Sequence, residues 1–128
     1  MYNNPRFRIA VLPGDGIGPE VVQSCLSILE VLCERLGGIS FDFRQREGGA
    51  GHYEKTGAVF ADDTLAECRD ADAVLLGAMG LPRVCYPDGT EVSAHFDLRM
   101  AMDIYAGLRP IRGYPRLPLV LGDKRAAE

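Results

Sequence analysis

The sequence predicts an α/β fold, an open sheet with helices on its faces. Two observations carry this expectation. Short runs of strand character alternate with segments of helical periodicity along the chain, the order that strand–helix–strand units produce. A dense cluster of turn residues, Pro13 to Glu20, then joins the first strand-like run to the strongest helical pattern. With 47% apolar and 25% charged residues over 128 positions, the chain has the balance of one globular domain, whereas a disordered chain would be poorer in apolar side chains.

Phe7 to Leu12 (FRIAVL) is apolar on both faces, as in a buried strand. After the turn, Val22, Cys25, Leu26, Leu29, Leu32, Cys33 and Leu36 keep helical spacing. Pro19 suits the first turn, Glu20 the positive end of the dipole, and Gly37-Gly38 the C-terminal stop. Ile39 to Arg46 alternates like a strand with one buried face, and the glycines from Gly48 to Gly51 break it. His52 to Thr56 reads as a short helix. Asp62 or Asp63 caps another through Ala71, and Asp72 to Gly77 reads as a second buried strand. Met79 to Ser93, with Pro82, Pro87 and Gly89, is expected to be a loop. A helix over Ala94 to Met102, an extended run Ile104 to Ile111, and an apolar stretch Leu117 to Leu121 in a charged tail complete the chain.

The net charge of −4 is spread without long runs and leaves no basic footprint for nucleic acid. No apolar run approaches the ~20 residues that cross a bilayer, and Met1 to Pro5 lacks the apolar segment of a signal peptide. No membrane or nucleic-acid partner is therefore expected. Cys25, Cys33, Cys68 and Cys85 form no CxxC pair. Cys25 and Cys33 fall on the apolar helix face as small hydrophobes, which fits a reduced, cytoplasmic compartment. His52 and His95 stand apart without companion ligands, so no metal site is expected in this chain. Asp62, Asp63, Asp70 and Asp72 fit caps and solvated faces better than a metal site, and Tyr105 fits packing.

Two features have competing readings. Gly14-Asp15-Gly16-Ile17-Gly18 could bring backbone N–H groups to a phosphate at a helix start. Its GxGxG spacing is not the GxGxxG of dinucleotide sites, however, and no Walker lysine follows. A tight strand-to-helix turn is the simpler reading. Arg99, in a helical stretch, and Arg109, in an extended one, could clamp a dicarboxylate through bidentate hydrogen bonds. Taken as residues alone, two solvated surface arginines explain them more simply.

Three ordered segments then decide between these readings. Ile9 to Val22 (IAVLPGDGIGPEVV), Asp72 to Gly80 (DAVLLGAMG), and Asp97-Leu98-Arg99 leading to Asp103 to Ile111 (DIYAGLRPI) closely resemble the N-terminal part of the isopropylmalate/isocitrate/tartrate dehydrogenase family of decarboxylating dehydrogenases. The resemblance implies an isopropylmalate dehydrogenase-like open mixed sheet with flanking helices, incomplete relative to the family. Residues 1–128 would form the N-terminal portion of one such domain. It implies a 2-hydroxy acid substrate with a neighbouring carboxylate, hydride transfer to NAD (or NADP), and Mg²⁺ or Mn²⁺ as Lewis acid in the complete enzyme.

By position, Arg99 and Arg109 match the family's carboxylate-binding arginines. Gly80, Leu81, Pro82 and Glu91 match the segment beside the nicotinamide. Gly80-Leu81-Pro82-Arg83 stands where isopropylmalate-type members carry a Gly-Pro-Lys-Trp-like stretch, so a tartrate or malate type of substrate stays open beside 3-isopropylmalate. The family's catalytic tyrosine and lysine, metal-binding aspartates and adenosine loop lie beyond the equivalent of Glu128. No catalytic residue is thus expected in this chain, and a missing C-terminal piece or a homologous subunit is the expected partner. The alternative is an inactive binding or regulatory module, or a truncated fragment that acts only with a partner.

Overall fold

A computed structural model describes residues 5–110. Three strands, β1 (Arg6–Gly14), β2 (Ser40–Gln45) and β3 (Ala73–Ala78), pair in the order β2-β1-β3. All are parallel, with register from Arg6 opposite Ser40 to Val11 opposite Gln45, and from Ile9 opposite Ala73 to Gly14 opposite Ala78. Helix α1 (Gly18–Leu36) links β1 to β2. Helices α2 (Ala50–Thr56) and α3 (Thr64–Asp70) link β2 to β3, and α4 (Ala94–Ala101) follows the loop after β3. Because β2 and β3 flank β1 on opposite sides, right-handed crossovers put α1 on one face of the sheet and α3 on the other.

Strand alternation divides the apolar side chains between those faces. Ala10 and Leu12 of β1, both fully buried, join Cys68 of α3 and Leu98 of α4 in one core, with Phe60, Leu65, Val74 and Met102 around it. On the α1 face, Phe7 and Phe41 approach with ring centroids 6.3 Å apart, and Phe41 and Phe43 at 5.6 Å. Gly77 of β3 lies under Val22 of α1, where a Cβ would meet Val22 Cγ2 at 2.8 Å.

The apolar stripe of α1 is only partly covered. Val22 is buried and Cys25, Leu26, Leu29 and Cys33 half-buried, but Leu32, Leu36 and Ile28 are exposed. The expected fully buried strand Asp72 to Gly77 is likewise only half-covered, because β3 lies at an edge of the described sheet. The other edge, β2, carries Asp42 and Arg44, paired at 3.1 Å, with Arg6 at 3.5 Å. Charges at a strand edge discourage pairing with a further strand.

Helix ends follow the sequence at α1, whereas α2 begins at Ala50, inside the glycine run expected to break the chain, and α3 lacks its side-chain cap. Pro19 occupies the first turn of α1, and the Gly37 N–H closes it on the Cys33 carbonyl at 3.1 Å. Asp63 takes the N-cap position of α3, but its side chain makes no capping bond. Its carboxylate instead faces Arg46 Nε at 3.4 Å, beside the closer Arg46–Glu67 pair at 2.7 Å. Asp72 does more than solvate a face: its carboxylate accepts the Arg8 N–H at 2.7 Å, extending the β1–β3 ladder by a side chain. Tyr105, expected to pack, is 99% exposed among the described residues. Ile111 and the apolar stretch Leu117 to Leu121 lie outside the described residues.

Candidate functional site

The carboxyl ends of the parallel strands converge on the glycine turn. Gly14 (φ +77°) ends β1 against the Ala78 carbonyl, and Asp15 donates its N–H to that same oxygen at 2.7 Å. The Asp15 carboxylate is buried. Its Oδ2 accepts N–H groups from Ala50 at 2.9 Å and Gly80 at 2.8 Å, and its Oδ1 accepts Gly51 N–H at 2.7 Å. Within the turn itself, the Gly18 N–H is taken by the Asp15 carbonyl at 2.8 Å and the Asp15 N–H by the Ala78 carbonyl, so neither faces a phosphate. A second anion here would meet a buried carboxylate. The geometry favours the tight-turn reading of Gly14 to Gly18 over the phosphate one.

Gly80 opens the segment expected to bind cofactor, and this segment is more ordered than the loop anticipated from its prolines. Cys85 and Glu91 form an antiparallel bridge, and Tyr86 N–H donates to the Thr90 carbonyl at 2.7 Å. At the tip, Asp88 Oδ1 accepts the Thr90 hydroxyl at 2.6 Å and its N–H at 2.9 Å. These bonds hold the Asp88 carboxyl below its usual range. Val84 and Val92, on the two arms, are buried against Ala50 with Leu81 and Tyr53 beside them. Tyr53 meets Tyr86 edge-on at 5.2 Å. The Tyr86 phenol is pushed up by partial burial and by Asp97, 3.4 Å away. The Pro87-Asp88-Gly89 turn between two valines was the available sequence signal for this hairpin.

The hairpin returns Glu91 to Gly80. A Cβ at Gly80 (φ +112°) would stand 3.1 Å from Glu91 Oε1, so the bare glycine leaves space for that carboxyl. Leu81 is half-buried, and Pro82 is exposed. Arg83 turns outward to pair with Glu54 of α2, which raises the guanidinium and lowers the carboxyl. Gly80 and Glu91 are thus adjacent, Leu81 contributes to packing, and Pro82 lies on the surface.

Arg99 and Arg109 are both exposed, and neither makes an ion pair among the described residues. Arg99 Nη2 lies 3.9 Å from where a Gly107 Cβ would be, beside the segment that carries Arg109. The chain reverses between them through Asp103 (φ +53°) and a bond from Ile104 N–H to the Arg99 carbonyl at 3.0 Å. A cleft of about 220 Å³ lies beside Asp15 between the ends of β1 and β2, lined by Gly14, Asp15, Gln45, Gly51, His52 and Lys55 among others. It includes none of these expected site residues. There His52 Nδ1 sits 3.2 Å from Glu47 Oε2.

Residues 8–123 match the family described as isocitrate/isopropylmalate dehydrogenase. The chain belongs to that family. It is 40% identical over 114 residues to the 3-isopropylmalate dehydrogenase of Moorella thermoacetica, covering 87% of this chain and 32% of that relative. It is 43% identical over 109 residues to the corresponding protein of Thermobifida fusca, covering 84% of this chain and 30% of the relative. Among solved structures, the beta-decarboxylating dehydrogenase of Thermococcus kodakarensis superposes with a TM-score of 0.60 at 35% identity. That match spans 77% of this chain and 27% of the other. The chain therefore spans about a third of the length of the curated relatives it matches. The family resemblance implies a divalent metal, but among the described residues no group of three or more His, Cys, Asp or Glu side chains is placed to hold one. Those residues do not fit a metal centre. No helix among them is long and apolar enough to cross a membrane.

Proposed function

We propose that this chain is the N-terminal portion of an oxidative decarboxylase. The complete protein would use NAD or NADP and a divalent metal, Mg²⁺ or Mn²⁺. Its substrate would be a 2-hydroxy acid with a neighbouring carboxylate, of the 3-isopropylmalate or the tartrate/malate type. The family match over residues 8–123 carries the reading. Residues 1–128 would be part of one isopropylmalate dehydrogenase-like domain, working in the cytoplasm.

Arg99 and Arg109 would bind the substrate carboxylates. Their exposed guanidiniums flank a single chain reversal, and bidentate pairing would suit both. The nicotinamide would lie against Gly80, Leu81, Pro82 and Glu91, with the Glu91 carboxyl accepting hydrogen bonds beside the open Gly80 backbone. The hydride, proton and metal chemistry falls to groups outside the described residues. Exposed Ile28, Leu32 and Leu36 on α1, together with the apolar β3 edge, support a further piece of polypeptide packing here.

A chimera tests the proposal. The matched third of the Moorella thermoacetica relative is replaced by the corresponding residues of this chain. NADH formation is then followed with Mg²⁺ or Mn²⁺ and a panel of isopropylmalate, tartrate, malate and isocitrate. Turnover of one acid is expected. Arg99→Lys, which gives up the planar fork, should lower kcat/KM for it roughly 30-fold. A folded chimera inactive on the whole panel, or one indifferent to Arg99→Lys, would sink the assignment.

A further inference from the structure

We propose that Asp15 is the positioning residue of the cofactor segment: its buried carboxylate fixes the Gly80 peptide, and through it the place where Gly80 to Glu91 meets a ligand. The word cofactor rests on the functional reading above, but the anchoring itself does not.

Asp15 sits in the turn after β1, while its partners come from two other places in the chain. Ala50 and Gly51 begin α2, and Gly80 follows β3. One side chain therefore joins the three loops at the carboxyl end of the sheet, the end where open α/β sheets bind ligands. Gly80 is the last residue before the hairpin and faces Glu91 across it. Its N–H is held at 2.8 Å by Asp15 Oδ2, and the Ala50 N–H fixes the same oxygen from the other side. The arms of the hairpin also rest on Ala50 through Val84 and Val92. Anchor and packing thus meet at one residue, and Asp15 sets the spacing between them.

All three partners are N–H donors, so both carboxylate oxygens must accept. Asparagine fits the same volume and can put its oxygen in the place of Oδ2, keeping Ala50 and Gly80 and losing only Gly51, whereas alanine removes both acceptors. Glutamate carries its carboxylate one methylene further out, so its oxygens no longer fall where the Ala50, Gly51 and Gly80 N–H groups meet. Asp15→Ala should therefore release the Gly80 N–H, Asp15→Asn should largely keep it, and Asp15→Glu should not rescue it.

The test uses the isotopically labelled full chain. In the unmodified protein, scalar couplings across hydrogen bonds are expected from the Gly80 and Gly51 amide nitrogens to the Asp15 carboxyl carbon. In Asp15→Ala, hydrogen exchange at Gly80 should accelerate roughly 10-fold or more, with shift changes concentrated in Leu81 to Val92. The paired β1 amides Phe7 to Val11 should hold their protection. Exchange that rises equally in β1 and in the hairpin would mean that Asp15 serves stability alone, and would overturn the proposal. Absence of the Gly80 coupling in the unmodified chain would overturn it as well.

Should Asp15→Ala not fold, Gly51→Ala provides a second displacement. Its Cβ would stand 3.1 Å from Asp15 Oδ1 on a helix that tolerates alanine. The Gly80 coupling should then weaken, and an unchanged coupling counts against the anchor. NAD⁺ titration of the Moorella thermoacetica chimera, which carries the rest of that relative, separates the two readings. No NAD⁺ response with the Gly80 coupling intact would remove the cofactor assignment and leave the anchoring in place. Equal NAD⁺ affinity and identical shift changes in the chimera and its Asp15→Ala variant would overturn the positioning role.

Discussion

Gly14→Ala should be far more damaging than Gly16→Ala, although both glycines lie in one turn with positive φ, +77° and +58°. Each substitution forces an L side chain into left-handed backbone, at a cost of roughly 1 kcal/mol. At Gly16 that is the whole effect, because nothing lies within 4 Å of the added Cβ. At Gly14 the Cβ would fall on the Ala78 carbonyl oxygen, backbone of the strand registered against Gly14 itself. Relief requires parting β1 from β3, and it endangers the Asp15 N–H bond to that oxygen. Overpacking of this kind costs about 1–3 kcal/mol and a lost hydrogen bond about 1 more. The two variants should thus differ by about 3 kcal/mol. With a urea slope of about 1.5 kcal/mol/M, that separates their unfolding midpoints by about 2 M. Circular dichroism through a urea titration reads this directly, and a Gly14→Ala chain with no cooperative transition beside a folded Gly16→Ala would support the same conclusion. Midpoints within about 0.3 M of each other would show that the β1–β3 junction yields easily, and would refute the steric role given to Gly14.

Asp88 offers a pH test. Its carboxyl is lowered first by the Thr90 hydroxyl and then by the Thr90 N–H. Its stabilisation of the hairpin is therefore complete above the ordinary aspartate value of about 3.9 and lost as pH falls through the lower folded value. Thr90→Val should raise the Asp88 midpoint in a carboxyl-carbon NMR titration, and an unmoved midpoint would refute the bond. The cysteines should separate by reactivity: Cys85 is exposed, whereas Cys68 is buried and its thiol is pushed up, chiefly by burial and secondarily by Glu67. Iodoacetamide followed by mass spectrometry should label Cys85 well before Cys68 in the native chain. Equal labelling would mean that the Ala10–Leu12–Cys68–Leu98 core opens readily.

What the sequence alone determined is whatever is written locally. The period of α1, its Pro19 start and its Gly37 stop, the runs that became β1, β2 and β3, and three ordered family-like segments could all be read along the chain. Backbone geometry imposes its period on neighbouring residues, so the elements and their order show in the pattern. Tertiary structure alone decided who meets whom. Asp15 finds amides 35, 36 and 65 residues away, and no local signal marks a side chain that will bind three distant N–H groups. The pattern shows which face of α1 is apolar, but only packing decides that Val22 is buried while Leu36 is exposed. The same holds for Glu91 over Gly80 and for Val84 and Val92 against Ala50. Burial and hydrogen bonding are properties of pairs, and the partners in these pairs come together only when the strands take the order β2-β1-β3.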